Sequence, residues 1–397
     1  MKPLLAHSRM LLPEDHNDAT LIGRVWLPAS GSKPGGPTIV HVTDTAIYDL
    51  SADFPTLTDL LHHHAPADLC RSVKTGNSIA SFDEIAANTL ALKRDTDKAF
   101  FISPIDLQPV KACGVTFYES LVERIIEERA EGNPELAFAI RVNLTEELGV
   151  DFSTVIPGSA QALELLELLK RENLWSQYLE VGLGIDAEVF TKAPPLASVG
   201  TGAEIGILPV SLWNNPEPEV TLLINANAKI VGVTLGNDVN HRDIEGRSAL
   251  LLGKAKDNNA ACALGPFIRL LDKSFTLDHV RNLQVKLEVE GVDAYTLQAE
   301  NLMSNIRRDI LDLVNQCIGP CNDYPDGVAL MLGAMSSPTQ DRDEEGAGFT
   351  HKIGDIVRIS SPKLGILVNR IQATDKVTGW KFGINDLMKN LAQRSCL

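Results

Sequence analysis

Residues 213–266 hold the densest arrangement of acidic, basic and amide side chains in this chain of 397 residues. Glu217 and Glu219 stand two residues apart at the start of an apolar run, 220–224. Because successive side chains of a strand point to opposite faces, both carboxylates leave the same face if this run is a strand. Two negative charges then lie next to each other on one face.

A second run of β-forming residues, 230–235, follows the turn-forming residues 225–227, and this pattern predicts an antiparallel hairpin. The partner of Glu217 then lies near position 236, so Asp238 falls within a step or two of it. Three carboxylates at one end of a hairpin take up protons or a hard divalent cation, which predicts a Mg²⁺ site, with Mn²⁺ as the alternative. The other interpretation is a solvated hairpin end whose acidic side chains point into water.

Two cations, Arg242 and Lys256, follow the hairpin closely. Cations placed near a carboxylate-bound metal are a common means of holding an anionic substrate, which favours the metal site over the solvated end. His241 lies next to Arg242. If Asp238 and Arg242 face the site, the side chain of His241 points elsewhere, so we expect it to be structural.

Five short motifs follow one another across this stretch: Glu217-Pro-Glu219, Asn237-Asp238, Arg242-Asp243, Lys256 and Leu264-Gly265-Pro266. Their order and gaps resemble the fumarylacetoacetate hydrolase family. The resemblance implies an α+β, mostly β fold, a mixed β-sandwich roll with a smaller N-terminal β-rich domain. It also implies that Glu217, Glu219 and Asp238 ligate the metal, and that Lys256 lies at the substrate with Lys254 as the alternative.

The segment that begins at Gly114 is similar to the family's Gly-x-Asn-Tyr-x-x-His-x-x-Glu, with Ser120 in place of the His and Glu123 on the Glu. An imidazole is the natural base for activating a hydrolytic water, and a lone Ser does not replace it. We therefore expect Glu123 to transfer protons as a catalytic residue together with Lys256. The alternative is that Glu123 lies on a solvated helix face with Glu119 and Glu127.

Other matching positions imply further site residues. Phe190-Thr-Lys192-Ala-Pro194 resembles a family segment near the site, so we expect Lys192 nearby. Ala334 stands where family members commonly carry a Thr or Ser hydroxyl. The expected substrate contacts are Ser120, Ser198, Arg242, Asn258, Asn259 and Ala334.

A Mg²⁺ held by three carboxylates leaves positions open for a 2-keto acid, whose carboxylate and keto oxygens form a chelate. The longer run from Trp213 through Asn259, with residues 340–343, looks most like the dehydratase branch of the family. That likeness implies the conversion of 2-keto-3-deoxy-D-pentonate to 2,5-dioxopentanoate. The alternatives are an acylpyruvate hydrolase or decarboxylase, and a non-catalytic ligand-binding or structural role.

The elements that must position these residues follow from periodicity. Strands are predicted at 21–26, 38–42 and 283–290, and helices at 56–64, 121–126 and 301–315. Pro104 and Pro109 frame a short connection. We therefore predict a small β-rich domain over 1–104 and a catalytic domain over 105–397.

Composition narrows the classes of function. The chain is 44% hydrophobic and 22% charged, with a net charge of −16. Nucleic acids and anionic membranes require clustered Lys and Arg, so we expect neither as a partner. The chain has no apolar run near 18 residues, and its six cysteines are scattered, so we expect a cytoplasmic protein with free thiols. The family resemblance implies a homodimer or homotetramer.

Overall fold

Strands dominate the fold, as predicted for an α+β, mostly β protein. The computed structural model describes residues 2–31, 33–72, 78–148, 155–378 and 381–396, and of residues 142–148 only the backbone. Within these residues the strands are β1 (Leu21–Leu27), β2 (Gly36–Val42), β3 (Ala46–Asp49), β4 (Ser78–Ser81), β5 (Phe100–Ile102), β6 (Val110–Cys113), β7 (Val189–Ala193), β8 (Glu204–Ile207), β9 (Asn214–Asn215), β10 (Pro218–Ile224), β11 (Ile230–Asp238), β12 (Asn240–His241), β13 (Cys262–Leu270), β14 (Gln284–Glu290), β15 (Thr296–Leu302), β16 (Val328–Met331), β17 (Ile356–Ser361) and β18 (Gly365–Ala373).

The helices lie mainly before and between these strands. They are α1 (Leu57–His62), α2 (Pro66–Ser72), α3 (Phe82–Leu90), α4 (Tyr118–Arg129), α5 (Pro134–Leu148), α6 (Ala160–Arg171), α7 (Gln177–Leu183), α8 (Arg242–Glu245), α9 (Leu252–Lys256), α10 (Leu277–Val280), α11 (Ile310–Cys317) and α12 (Ile384–Gln393). Short 3₁₀ turns cover Ser8–Leu11, Ala249–Leu251 and Met303–Asn305. None of the helices in the described part of the chain is long and apolar enough to cross a membrane.

Two sheets pack face to face. The larger has the strand order β4-β3-β2-β1-β13-β11-β10-β16-β6-β7, with β5 paired to β1, and the smaller has the order β15-β14-β17-β18-β8. Leu222 and Leu235 of the large sheet share a core with Leu287 and Ile359 of the small sheet. Leu223 points the other way, into a core that includes α1 and α2 residues. The β10–β11 hairpin is therefore buried on both faces, which fixes the direction of each of its side chains.

The predicted hairpin is confirmed. β10 and β11 pair antiparallel, with Glu219 opposite Gly236, and the Asp238 N–H donates to the carbonyl of Glu217 at 3.0 Å. Glu219 in β10, Glu217 just before it and Asp238 at the end of β11 lie on the face opposite Leu222, away from the core between the sheets. The carboxylates therefore leave the sheet on one side, at the end remote from the turn.

The helix predicted at 301–315 begins too early. β15 continues through Leu302, with Asn301 paired to Val285 across the ladder. The α11 helix starts at Ile310, where the side chain of Asp309 accepts the N–H of Leu311 as an N-cap. The apolar period of a helix does not mark its first turn, and the capping Asp does.

The strands before residue 105 continue the large sheet. β1 pairs with β13 through Leu21 opposite Arg269 and Ile22 opposite Ile268. The boundary predicted at residue 104 is thus not marked by a break in the sheet, and it stays a prediction from sequence.

Candidate active site

Three buried carboxylates meet at the end of the β10–β11 hairpin. One oxygen from each of Glu217, Glu219 and Asp238 lies within 4.8 Å of the others. The three residues are 2%, 1% and 1% exposed, so water does not screen their charges. The interpretation of a solvated hairpin end therefore does not describe this protein.

Glu219 has a backbone donor of its own. The N–H of Gly333, in the loop after β16, donates to Glu219 Oε2 at 2.6 Å. Gly333 has φ +106, and a Cβ at that position would lie 2.0 Å from Thr116 Oγ1. The glycine is required because a side chain fits neither the backbone conformation nor the space.

Three cations contact the carboxylates. Lys256 Nζ lies 2.6 Å from Glu217 Oε2 and 3.0 Å from Asp238 Oδ2, and Lys192 Nζ lies 2.8 Å from Asp238 Oδ1. Arg124 Nη2 pairs with Glu217 Oε1. Lys254 is exposed. The structure thus brings Lys256, not its alternative, to the carboxylates.

The charges of the cluster are unevenly compensated. Burial, together with the negative charges of Asp238 and Glu217, raises the pKa of Glu219 well above its usual value. Burial also acts to raise the pKa of Asp238, but Lys192 and Lys256 outweigh it and the pKa is lowered. Glu219 is therefore the carboxylate with an uncompensated charge. A divalent cation would relieve its repulsion with Asp238 and Glu217, so the donor set fits Mg²⁺, for which carboxylate oxygens are suitable ligands.

Glu188, directly before β7, adds a carboxyl that the sequence interpretation missed. A Cβ on Gly114 would lie 1.8 Å from Glu188 Oε2, so the glycine leaves the space that this carboxyl occupies. Burial, with the negative charge of Glu245 next in size, raises the pKa of Glu188 to about 7, against the opposing charges of Arg124 and Lys256. A carboxyl with this pKa exchanges protons readily near neutral pH.

Strand periodicity carries the signal that would have found Glu188. In a regular strand, positions 188, 190 and 192 would share one face. The pairing of β7 with β6 is irregular at Lys192, but Glu188 and Phe190 lie in its regular part or directly before it. The Lys256 ammonium lies 5.4 Å from the centroid of the Phe190 ring, and Lys192 reaches Asp238. The expectation that Lys192 lies near the carboxylates therefore also places Glu188 on the face that turns toward them.

The α4 helix distributes its polar residues differently from the expectation. The Ser120 hydroxyl donates to the carbonyl of Phe117 at 2.8 Å. Glu123 is not solvated with Glu119, because Arg141 of α5 holds both of its oxygens, at 3.0 and 2.7 Å. The structure gives neither Ser120 nor Glu123 a direct contact with the three carboxylates, and their catalytic and substrate roles stay predictions.

Two other α4 residues lie beside the cluster: Arg124, which the sequence interpretation did not name, and Glu127, which its alternative placed on a solvated face and which is buried. Arg124 contacts Glu217, and Glu127 pairs with Arg124 and, at 3.1 Å, with Arg242 Nε. The sequence signal that would have linked these two residues is their spacing on a helix. Arg124 and Glu127 are three residues apart, so they lie on one face of α4.

The remaining expected substrate residues have these positions in the structure. The guanidinium of Arg242 faces Glu127 and Asn215, whose Oδ1 accepts from Nε at 2.8 Å. Ser198 shares a 2.7 Å hydroxyl contact with Ser103, and the Asn258 amide donates to the carbonyl of Lys254. Asn259 is exposed, and Ala334 is buried directly after Gly333. Of these five residues, only Ala334 is next in sequence to a residue, Gly333, that bonds one of the carboxylates. The role of all five as substrate contacts stays a prediction.

His241 has structural bonds at both ring nitrogens. Nε2 accepts the N–H of Leu208 at 2.9 Å, so Nδ1 carries the proton that it donates to the carbonyl of Ala255 at 2.6 Å. Burial lowers the pKa of His241 to about 4 despite the bond to Ala255. The imidazole is thus neutral at neutral pH and its hydrogen bonds are used within the fold.

Residues 217–372 match the family model described as fumarylacetoacetate (FAA) hydrolase C-terminal. This segment contains all three carboxylates and Lys256. Among curated proteins, the chain is 30% identical over 204 residues to the 2-dehydro-3-deoxy-D-arabinonate dehydratase of Saccharolobus solfataricus, covering 51% of this chain and 64% of that one. It is 30% identical over 184 residues to the probable 2-keto-3-deoxyxylonate dehydratase of Haloferax volcanii, covering 46% and 60%. The chain therefore spans less than two thirds of the length of either relative.

Solved structures share the fold. A 2-keto-3-deoxy-D-arabinonate dehydratase complexed with magnesium and 2,5-dioxopentanoate aligns with a TM-score of 0.59 at 21% identity, covering 89% of this chain and 99% of that one. The fumarylacetoacetate hydrolase of Exiguobacterium antarcticum aligns with a TM-score of 0.51 at 14% identity, covering 89% and 100%. The predicted fumarylacetoacetate hydrolase-like fold is confirmed.

Proposed function

We propose that this chain, which carries a fumarylacetoacetate hydrolase family domain over residues 217–372, is a Mg²⁺-dependent dehydratase that converts 2-keto-3-deoxy-D-pentonate to 2,5-dioxopentanoate. The observation that carries the proposal is the buried cluster of Glu217, Glu219 and Asp238 with Lys256 in direct contact. The names of both curated relatives support the substrate class, and a fold neighbour was solved with magnesium and 2,5-dioxopentanoate.

Glu217, Glu219 and Asp238 would hold the metal ion. When bound, Mg²⁺ supplies Lewis acidity to the 2-oxo group of the substrate and makes its C3 protons more acidic. Lys192 and Lys256 compensate the charge of Asp238 within the fold, so this carboxylate stays ionised and available as a ligand. Lys256, which also contacts Glu217, is positioned to offset negative charge that develops on the substrate.

The reaction removes one proton from C3 and the hydroxyl group from C4 of the substrate, which together make up one water molecule. The C3–H electron pair forms the C3=C4 bond, the C4–O bond breaks, and the hydroxyl leaves as water after it takes a proton. A proton is then lost from C5 and gained at C3. The resulting enol becomes the aldehyde by gaining a proton at C4 and losing the proton of the C5 hydroxyl. Glu188, with its pKa near 7, is our candidate to accept the C3 proton and return one to the leaving hydroxyl. Glu123 remains the candidate proposed from sequence.

Hydrolysis or decarboxylation of an acylpyruvate is the alternative function. Ser120 stands where hydrolytic family members place an imidazole, and its hydroxyl bonds the carbonyl of Phe117. A serine used in this way supplies no base for a hydrolytic water. The position of Ser120 therefore favours dehydration.

An assay of product from defined substrates tests the proposal. Purified protein is incubated with D- or L-2-keto-3-deoxypentonate or with an acylpyruvate, with Mg²⁺ or with EDTA, and 2,5-dioxopentanoate and pyruvate are measured. We expect 2,5-dioxopentanoate from the D-pentonate only when Mg²⁺ is present. Release of pyruvate from the acylpyruvate, with the pentonate untouched, would overturn the proposal in favour of the hydrolase.

The assembly and location of the enzyme also belong to this proposal. We expect a homodimer or homotetramer in the cytoplasm, with a small 2-keto acid as the ligand and no nucleic-acid or membrane partner. Light scattering of the purified protein tests the assembly.

A further inference from the structure

A buried set of four alternating charges lies between α4, α8 and the metal cluster. Arg124 Nη1 pairs with Glu127 Oε2 and, at 3.3 Å, with Glu245 Oε2. Arg242 Nε lies 3.1 Å from Glu127 Oε1. All four residues are 7% exposed or less. We call these residues, Arg124, Glu127, Arg242 and Glu245, the charge relay.

The charge relay joins the metal cluster at one atom. Arg124 Nη2 contacts Glu217 Oε1, whereas Lys256 contacts the other oxygen, Oε2. Each oxygen of Glu217 therefore has one cationic partner, and these two contacts together fix the plane of the carboxylate. Rotation of Glu217 about its terminal bond would break at least one of them.

Two glycines allow the close approach that makes the relay continuous. A Cβ on Gly246, directly after α8, would lie 2.7 Å from the carbonyl oxygen of Glu127. A Cβ on Gly132, which has φ +74, would lie 2.7 Å from the carbonyl oxygen of Asp243. The end of α4 and α8 are thus in backbone contact. This contact brings Glu127 between Arg124 and Arg242.

Stability alone does not account for the charge relay. Burying ions costs several kcal/mol each, and replacing buried ion pairs by apolar residues is often neutral or stabilising. The neighbouring α4 positions Leu121 and Ile125 show that this helix packs well with apolar side chains. The link from Arg124 to Glu217 gives the charged residues a second use.

We propose that Arg124 is a positioning residue for the metal ligand Glu217, and that Glu127 holds Arg124 in place by bridging it to Arg242. The inference rests on the proposed function, because it assumes that Glu217 binds a divalent cation. Arg124 suits this use because its guanidinium reaches three carboxylates at fixed angles, which the single ammonium of a Lys does not reproduce.

Metal binding by the folded protein tests the proposal directly. The Kd of Mg²⁺, with Mn²⁺ as a second probe, is measured by calorimetry for the wild-type protein and for Arg124→Gln, and each thermal midpoint is recorded. Loss of a residue that orients a metal ligand commonly weakens affinity by about 10- to 100-fold, and we expect that range. We also expect activity of the variant to recover in part at high Mg²⁺, which a general packing defect would not allow.

The sign of the affinity change separates positioning from charge. If Arg124 acted only through its positive charge, its removal would make the cluster more negative and tighten Mg²⁺ binding. Unchanged or tighter binding by Arg124→Gln would therefore overturn the inference. If wild-type protein binds neither Mg²⁺ nor Mn²⁺, the proposed function fails instead, so the two failures are distinct.

Two more variants keep the test decisive if Arg124→Gln does not fold. Glu127→Gln keeps the shape of the bridge and removes its charge, so we expect weaker Mg²⁺ binding, by a smaller factor than for Arg124→Gln. Wild-type affinity in this variant would refute the bridging role. Glu128→Gln is the matched control, because Glu128 lies on the same helix but accepts a hydrogen bond from Ser176. We expect its Mg²⁺ affinity to equal that of the wild type.

Discussion

The β10–β11 hairpin and the α4 helix both supply acidic side chains to one region, yet they differ in how they present them. Glu217, Glu219 and Asp238 follow the two-residue period of paired strands, and all three reach the cluster. On α4 the acids at 119, 123 and 127 recur every four residues, but Glu119 is exposed, Glu123 bonds Arg141, and Glu127 is buried in the charge relay.

The difference follows from geometry. A strand has only two faces, so two acids at an even spacing lie on the same face. The pairing register of the hairpin then places the third acid beside them. A helix turns 100° per residue, so side chains four residues apart point in somewhat different directions. The elements packed around the helix then decide which partner each side chain contacts. Acidic spacing is thus a strong guide to function on the hairpin and a weak one on α4.

The largest expected effect tests the hairpin side of this comparison. In Glu219→Gln the cluster loses the carboxylate whose pKa is raised by burial and by the charges of Asp238 and Glu217. We expect Mg²⁺ binding and dehydration to be lost together, because one of the three ligands no longer carries a negative charge. Mg²⁺ binding is measured by calorimetry. Glu300→Gln, on the surface strand β15, is the control and should match the wild type. A variant that retains wild-type Mg²⁺ affinity would remove Glu219 from the metal site.

The next effect decides between the strand and the helix as the source of the proton-transfer group. We expect Glu188→Gln to lower kcat by a factor of about 10² to 10⁴, the usual contribution of general acid–base catalysis, with Mg²⁺ affinity retained. Glu123→Gln was predicted from sequence to abolish dehydration, and the two variants are therefore measured side by side. Full activity in Glu123→Gln would exclude Glu123, and full activity in Glu188→Gln would exclude Glu188.

The pH dependence of kcat sharpens the same comparison. The acceptor of the C3 proton must be ionised, and the pKa of Glu188 is raised to about 7. Activity of the wild-type enzyme should therefore rise with pH through this region. This rise of kcat with pH, the acidic limb of the profile, should be absent from the residual activity of Glu188→Gln. A limb that persists there would assign the titration to another group.

The sequence predicted those parts of the site that depend on local periodicity. The hairpin and the three acids follow from residues 217–238. The register differs by two residues from the prediction, because Asp238 and not position 236 lies opposite Glu217, and the pairing shifts between Leu223 and Ile224 beside the turn. The pairing of Arg124 with Glu217, 93 positions apart, depends on how α4 packs across the sheet, and no local pattern encodes that distance. Glu188 could have been predicted, because the two-residue period of a strand relates it to Lys192, which was expected near the site. The bonding of Glu123 to Arg141 depends on where α5 packs, which no local pattern encodes.

The smallest expected effect concerns His241, whose ring bonds Leu208 and Ala255. Burial lowers its pKa to about 4 from 6.5, so the native state disfavours the charged form. The resulting stability is complete above the unfolded value and is lost as pH falls toward 4. Between pH 7 and pH 5 this one group should cost the wild type about 2 kcal/mol of unfolding free energy. His241→Gln offers an amide donor and acceptor to Ala255 and Leu208 without this titration. Urea unfolding at both pH values should therefore show a smaller loss for the variant. An equal loss would mean that other groups carry the pH dependence and that His241 is not held neutral by the fold.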